Sequence, residues 1–161
     1  MSETAQVRRG LGFLLQETSR LMRRRFVQRA REAGLKVNRS EASVLVHVFH
    51  SPGISQATLA NYLDIETISV VRLIDSLQAA GLIERRPHPT DRRIRTLWLT
   101  EAAATTVSQI QAIGRQVRAQ ALAGVPEEEH EYLFDLLSVV RTNLEASGEP
   151  MPCAAEAEAA G

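Results

Sequence analysis

The sequence predicts a mainly α-helical fold in which two short helices and a β-hairpin lie between longer helices. Apolar residues recur at three- and four-residue steps through most of the chain, as they do along helices that bury one face. Two runs rich in β-type residues flank the proline-containing turn "PHPTDR". Glycine or proline follows nearly every periodic segment, where it is expected to end a helix.

The composition indicates a folded protein with an uneven distribution of charge. The 161 residues include 44% apolar and 24% charged residues, and the formal net charge is zero. Residues 1–100 contain sixteen Lys and Arg against nine Asp and Glu, whereas residues 101–161 contain three against ten. A basic part beside an acidic part predicts that the first faces a polyanion such as nucleic acid.

The sequence gives no sign of a membrane or secreted protein. No apolar run reaches the roughly 20 residues of a membrane helix, and the N-terminal segment lacks the apolar stretch of a secretory signal. Cys153 is the single cysteine, so no internal disulfide can form. We therefore expect a cytoplasmic protein without membrane contact.

The N-terminal part predicts one long and one short helix. Residues 5–33 have the apolar spacing of an amphipathic helix, which Gly34 is expected to end. Residues 40–50 predict a short buried helix with Ser40 as its N-cap, although their β-branched content leaves a strand open.

Two short helices joined by a tight turn are predicted next. The first begins at its N-cap Ser55 and runs to Tyr62, and the second runs from Glu66 to Ala80. Asp64 lies in the turn, where Asp tolerates a left-handed backbone. If the helices cross steeply, the apolar side chains that point inward are Leu59, Leu63, Ile65, Val70 and Leu73, with the small Ala60 at the crossing.

This packing leaves Ile68 and Val71 on the outer face of the second helix. A DNA major groove would explain them, because thymine methyl groups accept apolar contacts. Arg72 can reach a guanine edge or a phosphate, and Thr67 and Ser69 can donate to phosphates near the helix start. The alternative is an ordinary helix pair whose apolar residues pack on a neighbouring element.

The runs "LIERR" and "IRTLWLT" predict a two-stranded hairpin rich in arginine. Such a hairpin can lie along a duplex and place an arginine in a narrow minor groove, whose negative potential attracts it. Asp91 lies two residues before Arg93 and is expected to hold its guanidinium. The alternative is a solvated charged loop.

Two further helices are predicted for residues 101–123 and 126–146. Thr100 is the expected N-cap of the first helix, and Pro126 takes the favoured first position of the second. The first helix has a seam of small and apolar residues that suits helix packing, formed by Ala103, Val107, Ile110, Gly114, Val117 and Ala121.

The segment "ISQATLANYLDIETISVVRLIDSLQAAGLIERRPHPTDRRIRTLWLT" resembles the MarR family of winged helix-turn-helix regulators, and its SlyA-like branch most closely. The most specific part is "AAGLIERR" followed by "DRR" and "LT". The resemblance implies a DNA-binding transcriptional regulator in which Arg72 contacts DNA from the recognition helix. It also implies that Asp91 and Arg93 form the wing tip. The first and last helices would intertwine to form a homodimer that binds a palindromic operator.

The residues and the resemblance together give a full set of assignments. The whole chain, residues 1–161, is predicted as one domain in which residues 5–34 and 101–147 form a helical dimerisation lobe. Residues 36–100 form the winged helix-turn-helix lobe with its two-stranded wing, and residues 148–161 form a flexible tail. The expected DNA-binding residues are Ser55, Gln56, Thr67, Ile68, Ser69, Val71, Arg72, Arg85, Arg86, Asp91, Arg92, Arg93 and Arg95.

A small-molecule effector is a further implication of the resemblance, since relatives bind aromatic carboxylates between their lobes. Arg20, Arg24, His47 and His50 are candidates for pairing with such a carboxylate, and the sequence does not choose among them. The two histidines could also hold a metal, but no cysteine or carboxylate cluster nearby completes a site. No phosphate loop, nucleophile elbow or catalytic carboxylate pair is present, which predicts neither a cofactor nor enzymatic activity.

The predicted function is a homodimeric repressor that a ligand releases from its operator. Two alternatives stay open at this point. One is a ligand-independent activator or anti-silencer of the SlyA type. The other is a winged-helix module that binds a protein partner through Ile68 and Val71.

Overall fold

The computed structural model describes residues 10–91 and 93–146. These residues fold in the order α1 (Leu11–Glu32), α2 (Arg39–His50), β1 (Ile54–Ser55), α3 (Gln56–Leu63), α4 (Thr67–Ala79), β2 (Ile83–Pro87), β3 (Arg95–Leu99), α5 (Ala103–Ala121) and α6 (Glu127–Ala146). The predicted mainly helical fold is confirmed. None of these helices has the length and hydropathy that a membrane span requires.

Asn38, and not the predicted Ser40, caps helix α2. The Asn38 side chain accepts a hydrogen bond from the backbone N–H of Glu41 at 3.0 Å, and the Glu41 carboxylate accepts one from the Asn38 N–H at 2.8 Å. This reciprocal capping box satisfies two N–H groups that the first turn would leave free. The Ser40 prediction is wrong because the helix begins one residue before it, and the segment is not a strand.

Helices α3 and α4 form the predicted pair around a left-handed turn. Ser55 caps α3 by accepting a hydrogen bond from the Thr58 N–H at 3.0 Å. Asp64 ends α3 with a φ of 49°, as the turn prediction requires. Ile65 was expected to point inward but is 36% exposed, because it follows this turn and belongs to neither helix.

The wing belongs to a three-stranded antiparallel sheet with the order β1-β3-β2. The sequence predicts the β2–β3 hairpin, but strand β1 has only two residues and so carries no periodic signal. Ile54 of β1 pairs with Leu97 of β3, which ties the wing to the start of α3. Gly53 precedes β1 with a φ of 83°, and a Cβ there would lie 2.9 Å from the Trp98 indole.

The core lies where α2, α3, α4 and the sheet meet α5. Its largest fully buried side chains include Leu45, Leu59, Ile74, Leu77, Ile83 and Leu97. Helix α5 buries most of its predicted seam, including Val107 and Ile110. Thr100 does not cap this helix, which begins at Ala103, because its hydroxyl instead donates to the Gly81 carbonyl at 2.6 Å.

Helices α1 and α6 bury none of their described residues in the single chain. Helix α1 packs on α5, yet both α1 and α6 keep large apolar side chains in solvent. The exposed set comprises Leu11, Phe13, Leu14, Leu15, Leu21 and Met22 on α1 and Tyr132, Phe134, Leu136, Leu137, Val139 and Leu144 on α6. The predicted first turn of the N-terminal helix at residues 5–9 and the predicted tail at residues 148–161 lie outside the described residues.

Candidate nucleic-acid interface

Helix α4 presents its predicted outer face to solvent. Thr67, Ile68 and Arg72 are exposed, Ile68 by 60%, whereas Ser69 and Val71 are half-buried. Within the described residues, the Arg72 guanidinium has no hydrogen bond or ion pair. An exposed apolar side chain beside a guanidinium without an intramolecular partner suits contacts with base edges in a major groove.

A cleft lies between the starts of helices α3 and α4 on one side and strand β3 of the wing on the other. Its lining residues include Ser55, Gln56, Thr67, Arg93 and Arg95. No side chain caps the start of α4, since the N-cap Glu66 makes no side-chain hydrogen bond. Helix starts carry positive partial charge, so two helix starts and two arginines give this cleft the electrostatics of an anion site.

The wing tip is fixed by Asp91. Its carboxylate accepts a hydrogen bond from the backbone N–H of Arg93 at 2.9 Å, so it holds the backbone and not the guanidinium that the sequence suggests. The backbone N–H of Ile94 also donates to the Asp91 carbonyl at 3.0 Å. The side chains of Arg93 and Arg95 are exposed without a partner among the described residues. Arg92 lies outside the described residues.

Arg85 and Arg86 behave differently from the arginines near the tip. The Arg85 guanidinium, 21% exposed, bonds to Gln56, Asp75 and Gln78. Arg86 pairs with Glu84 and lies over the Trp98 ring at 4.7 Å from its centroid.

Where the structure describes them, the predicted DNA-binding arginines therefore divide into two groups: Arg72, Arg93 and Arg95 have no partner among the described residues, whereas Arg85 and Arg86 are paired within the protein. The local sequence does not show that Arg85 is paired, because its partners come from other elements of the fold, whereas the partner of Arg86, Glu84, lies two residues away.

A second cavity, of about 400 Å³, lies between α1, α2 and α5. It is lined by Met22, Arg23, Phe26, Arg39, Ala42, Ser43, Val46, Ile110, Gly114 and Val117. None of the four predicted ligand-pocket residues lines this cavity. On α1, Arg24 projects more than a quarter-turn away from Arg23.

Arg20 is held by a neighbour on its own helix. Its guanidinium bonds to the Glu17 carboxylate at 2.7 Å, and this hydrogen bond and charge hold the pKa of Glu17 below its ordinary value. Arg23 and Arg39 are the cations that the sequence analysis missed. Their neighbours become visible only when the packing of α1 on α2 and α5 is known.

His47 and His50 lie at the other end of α2. The His47 ring stacks on Tyr62 of α3, with centroids 5.8 Å apart and planes 9° from parallel. Burial lowers the pKa of His47, and the nearby charge of His50 lowers it further. His50 is exposed and meets Phe49 edge to face. Within the part of the chain that the structure describes, no three His, Cys, Asp or Glu side chains gather as a metal site.

The lowered pKa of His47 predicts a loss of stability in acid. The unfolded chain, with an ordinary histidine pKa of 6.5, takes up a proton before the folded chain does, so stability falls as the pH drops below this value. We expect the melting temperature of His47→Gln to depend less on pH than that of wild type between about pH 7 and 5. A His47→Gln slope as steep as that of wild type would contradict this assignment.

Part of the chain matches a known family, and most of it shares the fold of solved structures. The model of the MarR family matches residues 33–94, which run from before α2 to the wing tip. The chain is similar to the solved structure of the transcriptional regulator SlyA, with a TM-score of 0.69 and 24% identity over 83% of this chain and 92% of that one.

Two DNA-bound structures are also similar. A mutant of MarR from E. coli complexed with operator DNA has a TM-score of 0.69 and 22% identity, over 87% of this chain and 99% of that one. The transcriptional repressor CouR, bound to a 23-mer DNA duplex, has a TM-score of 0.70 and 22% identity, over 88% and 99%. These likenesses establish a shared fold along most of the chain. Residues 33–94, the winged-helix segment of this chain, match the MarR family.

Proposed function

We propose that this protein is a sequence-specific, DNA-binding regulator of transcription. The main support for this proposal is the cleft that the starts of α3 and α4 form with Arg93 and Arg95, beside the exposed face of α4. Helix starts and arginines bind backbone phosphates, while Ile68 and Arg72 suit base edges. The phosphate-binding and base-reading groups thus lie side by side, as a duplex requires.

The DNA-bound relatives support this proposal. MarR from E. coli is seen with operator DNA and CouR with a duplex, and both share this fold over nearly their whole length. By analogy, α4 enters the major groove while the wing follows the neighbouring backbone and minor groove. The proposal includes no catalytic step, and it places the protein in the cytoplasm with the DNA that it binds.

Arg93→Ala should weaken binding to specific and random duplexes by similar factors. Loss of one phosphate contact should also reduce the slope of log affinity against log salt by about one. The measurement is fluorescence anisotropy over a range of KCl, with a duplex that the protein selects from a random pool. Arg141→Ala, which removes an exposed arginine from α6, is the matched control and should leave the slope unchanged. An unchanged slope for Arg93→Ala would remove this residue from the interface.

We further propose that the apolar faces of α1 and α6 are covered by a second copy of the chain. Twelve large apolar side chains stand in solvent on these helices, more than an ordinary monomer surface presents. No residue of helix α6 is fully buried within its own chain, and an isolated helix of this kind is marginally stable in water. A symmetric dimer of residues 5–34 and 101–147 would present two α4 helices to half-sites of a palindromic operator about one helical turn apart.

Leu137→Asp should break this dimer, because it places a carboxylate in the apolar face of α6. Light scattering after gel filtration should report a molar mass falling towards the 17.8 kDa of one chain. Ser138→Asp adds the same charge at the next, exposed position and should leave the dimer intact. The proposed interface would be refuted if Leu137→Asp kept the molar mass of two chains, or if the wild type had the molar mass of one chain.

The cavity beside Arg23 and Arg39 supports a further proposal, that a small aromatic carboxylate releases the protein from DNA. Its apolar walls suit a ring, and either guanidinium can pair with the carboxylate. Because the cavity joins α1 of the dimerisation lobe to α2 of the DNA-binding lobe, a ligand that fits one lobe arrangement best would change the spacing of the two α4 helices. On this basis we propose a repressor that releases DNA when the ligand binds.

Benzoate and related aromatic carboxylates should raise the melting temperature of the protein and release the selected duplex. The double variant Arg23→Gln/Arg39→Gln should abolish both effects, because it removes both cations from the cavity. Arg24→Gln is the control, since Arg24 does not line the cavity. If none of these acids stabilises the protein and releases DNA, the ligand-independent activator or anti-silencer becomes the better description.

A further inference from the structure

The Arg85 side chain joins three elements of the winged helix. From strand β2, its Nε donates to Oε1 of Gln56 on α3 at 3.0 Å. Its two terminal nitrogens reach α4, where one donates to Oε1 of Gln78 and the other to Oδ1 of Asp75, each at 2.5 Å. The backbone of Arg85 also pairs with Leu97 on β3. One guanidinium therefore connects the wing to both helices of the helix-turn-helix.

The partners of Arg85 lie on the face of α4 that is proposed to read bases. Asp75 follows Val71 by four residues and precedes Gln78 by three, so these side chains lie along one stripe of the helix. A guanidinium is planar and donates in fixed directions. A tilt of β2 relative to α4 would therefore break at least one of the hydrogen bonds that hold the Arg85 guanidinium.

These contacts leave Arg85 poorly suited to binding a phosphate. All three nitrogens of its guanidinium already donate to the protein, whereas Arg93 and Arg95 have no partners among the described residues. Moving Arg85 to a phosphate would also leave the Asp75 carboxylate without its ion pair next to the DNA backbone, where like charges repel.

We propose that Arg85 is a positioning residue that sets the angle between the wing and the recognition helix α4 and makes no phosphate contact. This inference rests on the proposed DNA-binding function. It separates Arg85 from Arg93 and Arg95, which would supply the electrostatic attraction. Arg85 would instead support discrimination between sequences, because base contacts from α4 and backbone contacts from the wing must be made together.

The main test replaces Arg85 with lysine in the full-length protein. Lysine keeps the charge that a phosphate needs but cannot make the three diverging bonds. With a duplex selected by the wild type from a random pool and a random duplex of equal length, Arg85→Lys should lose roughly tenfold of its preference for the selected duplex. Its salt slope should stay unchanged. A lysine variant that keeps the preference, with Arg85→Gln lowering the slope by about one, would overturn the proposal.

Two further variants distinguish the loss of this connection from a general loss of folding. Arg115→Lys changes an exposed arginine on α5, outside the proposed interface, and it should keep the preference for the selected duplex. Gln78→Ala removes one bond without changing charge, and it should lose part of the preference. In the Arg85→Lys background it should cause no further loss, because both changes break the same connection. Fully additive losses would contradict a shared role.

Nuclear magnetic resonance tests the connection without DNA. The Arg85 Nε–H signal should be protected from solvent exchange in wild type and should lose that protection in Gln56→Ala. Its chemical shift should change little when the selected duplex is added, and a large change would overturn the proposal. A wild type that binds no duplex would refute the proposed function, whereas the protection of this signal would still decide whether Arg85 bridges β2 and α3.

Discussion

The close packing of α3 on α4 determines where every other element of the winged helix lies. Leu59 and Ala60 of α3 are buried with Val70 and Ile74 of α4 in the same core. The left-handed Asp64 lets the chain reverse between the two helices without a longer loop. Once these faces are buried, the opposite side of α4 has to face solvent, and the wing that follows α4 has to lie beside it. The candidate interface is thus the exposed side of α4, opposite the side that packs in the core.

Features with a local cause could be predicted from the sequence. Helices α3 and α4 have periodic apolar residues, Ser55 accepts a hydrogen bond from the N–H of Thr58 three residues later, and Asp64 tolerates its unusual φ. The hairpin could be predicted because β-type residues flank a proline turn. Each of these signals lies within a few residues of the structure that it specifies.

Features that depend on distant partners could not be predicted. Strand β1 exists because Ile54 meets Leu97, more than forty positions along the chain. Thr100 does not cap α5 because the Gly81 carbonyl is within reach of its hydroxyl. In the same way, a run of arginines in the sequence does not reveal which cations are free and which already have partners. For Arg85, the pairing depends on α4 lying next to β2, where Asp75 and Gln78 meet its guanidinium.

The contact of Gly53 with Trp98 has a practical consequence. Trp98 is the single tryptophan of the chain, and it lies against the Gly53 backbone and under the Arg86 guanidinium, with its indole N–H donating to Thr96 at 3.0 Å. Indole emission responds to nearby charge and to water. The native, unlabelled protein therefore carries one optical probe at the base of the hairpin, and its fluorescence reports on that junction without any background from other indoles.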